Sequence, residues 1–323
     1  MNRLIILLFI IFSFFHSAVL SSDQTSSGTN KKEVSVGIII IDILKIDDAN
    51  QSITLDFVVR MRWNDPFLRG KVKTDQPIPL SEIWSPDVQL AQEKKLVRKR
   101  KEIGTLKPDG TVSFRQRFQG DLSMFIDYSN FPFDQHFFRI DVVAPFTDEI
   151  IFVNDTSLTG QVDKFSIQDW NIYNGELIVK PYNFLSYRFE AFAYQFRAKR
   201  HLGYYIWKVM VPLIIVVLMS WTVFWIDPIK IEAQLAVAAT AMLTIIAYQF
   251  TLSNMLPKIS YFTQLDYFIV GSNILVFLAL LEAVISSALA RENKEKLGRQ
   301  FDRYSRLIFP AFYFIVLLIT FFL

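Results

Sequence analysis

Hydrophobic positions along the chain fall into three regimes. From Leu4 to Phe15 they form one twelve-residue run, preceded by a single charge at Arg3 and followed by small residues at Ser17, Ala18, Ser21 and Ser22. A run that short suits the core of a secretory signal better than a spanning helix. A signal peptide is expected over residues 1–21, with the mature N-terminus outside the cytoplasm. From Lys31 to His201 the pattern changes to period two. Ile53, Leu55, Phe57, Val59, Met61 and Trp63 alternate with Ser52, Thr54, Asp56, Val58, Arg60 and Arg62, the mark of a strand with one buried face. The alternation returns at residues 112–118 and 188–196, and Lys107-Pro-Asp-Gly110 has the residues of a tight turn. Roughly 170 residues of short strands, with no long helical pattern among them, predict an all-β immunoglobulin-like sandwich. Its expected bounds are residues 22–203.

Beyond His201 the apolar positions become nearly continuous, in segments 204–226, 232–256, 262–290 and 307–323. The first three can span roughly 30 Å of hydrocarbon as helices; the last, at seventeen residues, is marginal. An all-α four-helix transmembrane domain is therefore expected over 204–323. The stretch 291–306 reads as a linker, with Arg291, Lys294, Lys296, Arg299, Arg303 and Arg306 against Glu292, Glu295 and Asp302. Such a basic excess belongs on the cytoplasmic side, which agrees with a sandwich exported behind a signal peptide.

Composition narrows the function. A net charge of +3 is too near balance for a nucleic-acid binder. The absence of cysteine removes thiolate metal sites, thiol catalysis and disulfides. The three histidines are His16, His136 and His201, and neither a paired-histidine metal motif nor a nucleophile elbow occurs, so no cofactor is expected and an enzyme is disfavoured.

Within the second apolar segment Glu232, Ala236, Thr240, Leu243, Ala247, Phe250 and Asn254 are spaced 4, 4, 3, 4, 3 and 4. The mean of about 3.67 is close to a helical turn, so they share one stripe. It runs from a carboxylate through small and hydroxyl side chains to two bulky apolar ones and an amide. A stripe of this kind is either a face for packing against another helix or the lining of a pore. Glu282, inside the third segment and four residues from Ser286, is the other intramembrane charge, read as a hydrogen-bonded structural group.

Several short motifs together resemble the pentameric ligand-gated ion channels, the Cys-loop receptor superfamily. Phe131-Pro132-Phe133-Asp134 is similar to that family's signature loop, where cysteines normally stand eight residues before and six after the proline. Here those positions hold Met124 and Phe138, as in the prokaryotic branch that lacks the disulfide. Trp63-x-Asp65-x-x-Leu68, Trp84-x-Pro86-Asp87, Arg200 before the first crossing, Pro212 within it and Leu256-Pro257 closing the second follow in the family's order over about residues 34–323.

The resemblance implies a homopentamer in lipid, with the second crossing lining a pore for monovalent cations and a small-molecule agonist bound between subunits. It favours the pore reading of the stripe. Glu232 then becomes a ring of carboxylates that attracts cations, while Leu243 and Phe250 become apolar constrictions. Family box positions fall at Val58, with Arg60 on the same face, and at Ala91. Phe146, Tyr182, Phe184, Tyr187 and Phe189 can supply aromatic walls, and Trp63 and Trp84 read as core. The basic run Lys94, Lys95, Arg98, Lys99, Arg100 and Lys101 can be solvated surface. With Arg60, Arg115 or Arg117 at its edge the pocket suits an organic acid; with aromatics dominant it suits an amine. A proton is the third expected stimulus. Asp47, Asp48, Asp134, Arg200 and Lys258 are placed where sandwich meets membrane, either coupling binding to the pore or simply holding the fold. The reading is a channel in a cell inner membrane with a periplasmic ectodomain; its rival is a non-conducting receptor sensing a small ligand.

Overall fold

The computed structural model describes residues 31–99, 101–145, 150–253 and 259–322. The expected signal peptide, Phe146, Asn254 and Lys258 lie outside these residues.

Fourteen strands build the N-terminal part among the described residues: β1 (Lys32–Asp47), β2 (Ser52–Asn64), β3 (Gln76–Pro79), β4 (Gln89–Leu90), β5 (Glu93–Arg98), β6 (Ile103–Leu106), β7 (Thr111–Ser123), β8 (Gln135–Ala144), β9 (Ile150–Asn154), β10 (Gly160–Gln161), β11 (Trp170–Ile172), β12 (Glu176–Val179), β13 (Tyr182–Phe184) and β14 (Tyr187–Arg200). One sheet has the order β10-β1-β2-β7-β6-β3, with β5 beside β7 and β9 beside β1; the other has β11-β14-β8-β4, with β12 and β13 on β14. The alternation read in β2 fixes which face is inside. Ile53, Leu55, Phe57, Val59, Met61 and Trp63 are all buried, opposite β8 and β14, whose paired Phe138 and Phe196, Ile140 and Tyr194, and Val142 and Phe192 close the core from the other sheet. Each large apolar side chain so enclosed contributes about 1.5–3 kcal/mol. Trp63 is a core residue, edge-on to Trp84 at 6.1 Å between ring centroids.

Four helices follow: α1 (Gly203–Trp225), α2 (Ile231–Ser253), α3 (Gln264–Arg291) and α4 (Glu295–Phe322). All four are long and apolar enough to cross a membrane. α1 is not uniform: residues Ile206–Met210 form a π turn just before Pro212. Proline has no N–H for the carbonyl four residues back, and its ring crowds that carbonyl. The Lys208 carbonyl is satisfied instead by the Tyr248 hydroxyl of α2, which donates to it at 2.7 Å. That hydrogen bond turns a local break into an interhelical contact.

The last helix departs from the sequence reading. Residues 291–306 are not a sixteen-residue linker; only the turn between Arg291 and Glu295 is non-helical, and α4 starts at Glu295. Its first turns are amphipathic, with Gly298 and Asp302 buried against α3 while Arg299 faces Glu295 and Asp227. The Ser286 hydroxyl donates to Asp302 at 2.7 Å, so it does not serve Glu282.

Candidate functional site

On α2 the buried side chains are Gln234, Ala238, Ala241, Ile245 and Leu252. Each is two positions from a member of the stripe, about 200° around the helix. The stripe residues Glu232, Ala236, Thr240, Leu243, Ala247 and Phe250 are accordingly all exposed within the chain. Gln234 anchors the opposite face to α3, accepting from the Ser287 hydroxyl at 2.9 Å. The stripe is thus not the face that α2 uses to pack in its own subunit.

In the sandwich, β2 and β7 pair so that Arg60 stands directly opposite Arg115, and Val58 opposite Arg117. Like charges at directly opposed positions repel. Arg117 is neutralised: its Nε donates to Asp56 Oδ1 at 2.8 Å and its Nη2 to Asp56 Oδ2 at 2.6 Å, a fork that raises the guanidinium pKa. Arg117 is thereby committed to the fold rather than to a ligand. Arg60 and Arg115 have no carboxylate partner among the described residues. Both line a cavity of about 630 Å³ that also takes Lys101, Lys107 and Arg62, the last paired with Asp155. Of its five cations, Arg62 is paired with Asp155 and Lys107 lies in the field of Asp109, which leaves Arg60, Lys101 and Arg115 without a carboxylate among the described residues. Val58 lines a smaller space of about 230 Å³ on the other side of the same two arginines. Arg62 and Lys107 were not singled out from the sequence; the signal available was the Arg60–Arg62 alternation on the outer face of β2 and the lysine of the turn before β7.

The aromatic candidates lie elsewhere. In the β13–β14 hairpin Tyr182 pairs with Phe189 and Phe184 with Tyr187, so all four rings share one face. Tyr187 and Phe189 stack at 6.2 Å and 9°, and Tyr187 is 66% exposed. This hairpin is not in the arginine cavity, and Ala91, exposed after β4, lines neither. One chain therefore does not assemble the expected box; it carries a cationic face and an aromatic face apart.

Where sandwich meets helices, Arg200 at the end of β14 is 4% exposed. Its Nε and Nη2 donate to Asp134 at 2.8 and 3.0 Å, and its Nη1 and Nη2 to Asp48 at 2.8 and 3.0 Å. Its guanidinium also lies over the Trp170 ring, 4.2 Å from the centroid. Burial works against this charge, but the two carboxylates outweigh it and raise the Arg200 pKa. Burial likewise opposes the Asp134 charge, and hydrogen bonds from His136 and Arg200 overcome it, so the carboxyl stays below its usual range. Asp47 is not part of this cluster. As the last residue of β1 it turns to the Lys45 ammonium at 2.5 Å and to Asn50, and Lys45 above all holds its pKa down to about 2. The loop 124–134 carries the cluster onto the membrane domain. Phe131 packs on Tyr205, and the Ser129 and Phe131 carbonyls accept from the Gln264 and Leu265 N–H groups, the otherwise unpaired donors of the first turn of α3.

A two-sheet sandwich seated on four membrane-length helices, with a buried ionic cluster at the joint, defines a multi-pass membrane protein. Family comparison makes the class specific. The neurotransmitter-gated ion-channel ligand binding domain matches residues 21–171, and the neurotransmitter-gated ion-channel transmembrane region matches 209–296. The chain belongs to this family of pentameric ligand-gated ion channels, in its disulfide-free branch. It is a ligand-gated ion channel by family, not an enzyme. It is 26% identical over 301 residues to a proton-gated ion channel of Gloeobacter violaceus, covering 90% of this chain and 82% of that one. It is 27% identical over 296 residues to gamma-aminobutyric acid receptor subunit beta-4 of Gallus gallus, covering 86% of this chain and 60% of that one.

Proposed function

We propose that five copies of this chain form a cation-selective channel opened by a small organic acid bound outside the membrane, between neighbouring copies. The observation that carries the conducting role is the exposed stripe of α2, turned away from the face that packs within the subunit. Five such stripes around an axis put Glu232 at the end next to the basic turns and Leu243 and Phe250 further along. The carboxylates favour cations by their summed potential. Apolar rings close by dewetting.

The ligand class follows from Arg60 and Arg115. Two opposed guanidinium groups without a carboxylate between them are stabilised by an anion that bridges both, and Arg binds carboxylate bidentately. The aromatic face of the β13–β14 hairpin, brought by the next copy, supplies the wall that one chain lacks. The basic residues of 291–306 face the cytoplasm in this reading, and the sandwich faces the periplasm across an inner membrane. A second reading, opening by protons, is favoured by the name of the Gloeobacter relative and by the 2.6 Å contact of His136 Nε2 with Asp134 in the joint.

Current recorded from the purified protein in planar bilayers tests both readings. At fixed pH, aromatic and aliphatic carboxylates are expected to open the channel, with amines of matched size inactive. Alanine at Tyr187 and Phe189 should shift that response and leave single-channel conductance unchanged. Opening by amines alone overturns the acid reading, and opening by pH steps without any organic ligand establishes the second.

A further inference from the structure

The cavity edged by Arg60 and Arg115 holds more positive charge than one carboxylate can match. On its face the β6–β7 ladder sets Thr105 opposite Ser113, two residues before Arg115 on β7. Period-two alternation puts Ile103 on the same outer face as Thr105. Lys101 stands just before β6, where its carbonyl accepts from the Ile103 N–H at 2.8 Å, and it lines the same cavity. Carrying the register back from Thr105 brings Ile103 beside Arg115, with the Lys101 backbone within roughly 7 Å of Ile103 along the strand direction. Ile103 thus separates the arginine pair from the lysine.

The acids around this face are engaged with other groups. Glu102 accepts from Arg98 at 2.9 Å, Asp155 pairs with Arg62, and Asp56 takes the Arg117 fork. Asp109 accepts from the Thr111 N–H at 2.9 Å and lies in the field of Lys107. Arg60, Arg115 and Lys101 are what remains. One carboxylate can bridge two opposed guanidinium groups, but it cannot also reach an ammonium on the far side of Ile103.

We propose that the agonist is a short dicarboxylate without an amine, a statement that rests on the organic-acid reading of this site given above. One carboxylate bridges Arg60 and Arg115, and the other takes Lys101, whose flexible stem adjusts to the length of the ligand. The methylenes between the two heads lie on Ile103. The Ser113 and Thr105 hydroxyls add donors at the guanidinium end. A monocarboxylate leaves Lys101 unmatched. An amino acid is disfavoured, because its ammonium would stand among three like charges.

The test compares succinate with succinamate, in which one carboxylate has become an amide of nearly the same shape, and with butanoate, aspartate and methyl phosphate. Currents are recorded from the full-length assembled protein in planar bilayers. Binding is measured by calorimetry on the same protein in nanodiscs, so that a diacid that binds without opening is also counted. Succinate is expected to act at a concentration roughly tenfold or more below succinamate and butanoate, the worth of one further charge-assisted contact. Aspartate should be weaker than succinate because of its ammonium, and methyl phosphate, with both charges on one head, weaker as well. Lys101→Gln, at an exposed position that the fold does not depend on, should erase the difference between succinate and succinamate. Arg115→Ala should weaken both. Equality of succinate with succinamate, aspartate or methyl phosphate in the wild type overturns the proposal, as does a difference that survives Lys101→Gln. Those results leave the organic-acid reading standing. Absence of binding by every acid tested, or binding indifferent to Arg115→Ala, removes that reading and this proposal together.

Discussion

Arg60 and Arg115 face each other across the β2–β7 ladder with nothing anionic between them among the described residues, while Arg117, two pairs along, is forked onto Asp56. The two arrangements use the same residue type for different ends. One charge is cancelled inside the fold and the other pair is not.

Alanine at Arg60 or Arg115 should therefore weaken the response to an organic acid by about tenfold or more, the worth of one charge-assisted hydrogen bond. The protein itself should lose no stability, since a like-charge pair is relieved. Arg117→Ala should do the reverse, lowering the melting temperature by stranding Asp56. Dose-response curves and thermal melts of the three variants distinguish the roles; equal loss of agonist sensitivity in all three would remove the distinction.

Arg200 holds two carboxylates at once, so Arg200→Ala leaves Asp134 buried without its cation and should cost roughly 3–5 kcal/mol. Lysine should not restore it, because an ammonium cannot fork onto both acids. Wild-type thermal stability and normal agonist-evoked current in assembled Arg200→Lys would contradict this.

The same cluster sets an acid limit. The folded pKa of Asp134 lies below the usual carboxylate value of 3.8, so its contribution is fully present above about pH 4 and is lost as pH falls through the lowered value. Asp47, at about 2, follows the same sign. Melting temperatures measured from pH 6 to pH 2 should fall only in the lower part of that range, and Asp134→Asn should flatten the fall. A decline of equal slope between pH 6 and pH 4 in both proteins would place the sensitive group elsewhere.

Much of the architecture was legible in one-dimensional pattern. The period-two run of β2 named its buried face correctly, and the apolar segments named four helices, because burial on one face or in lipid leaves a local signature. The residues 291–306 misled for a physical reason: a short amphipathic start to α4, held by Asp302 on one side and Arg299 on the other, has the charge content of a loop. Pairings between distant strands were not legible. Asp56 and Arg117 are 61 positions apart, and only the folded register decides that Arg117 meets a carboxylate while Arg115 meets Arg60. Asp47 and Asp48 are adjacent, and only the turn after β1 sends one to Lys45 and the other to Arg200.

Leu243 is 69% exposed on the stripe of α2. Leu243→Ala should lower the agonist concentration for half-maximal current or produce leak, because a smaller apolar ring stays wet. Unchanged agonist sensitivity without leak would assign the closed barrier to another ring.

Glu232 and Lys230 flank the start of α2, and Glu232 opens the stripe. In a sodium chloride gradient the wild type should reverse near the sodium potential, and Glu232→Lys should move it clearly toward chloride. Reversal of the wild type near the chloride potential would invert the selectivity.

The two hydrogen bonds from the first turn of α3 to the Ser129 and Phe131 carbonyls have a mechanical corollary. Parting loop from helix would strip donors and acceptors at a place where neither has another partner among the described residues, so this joint behaves as a weld. Any relative displacement between the sandwich and the pore has to be taken up as slip on the other side of α3, along its contacts with α2, where two polar fasteners cross, Ser287 to Gln234 near the inner end and Asn273 to Gln249 nearer the sandwich. The third helix then travels with the ectodomain as its keel, and the second, fastened to the first through Tyr248, shifts against it.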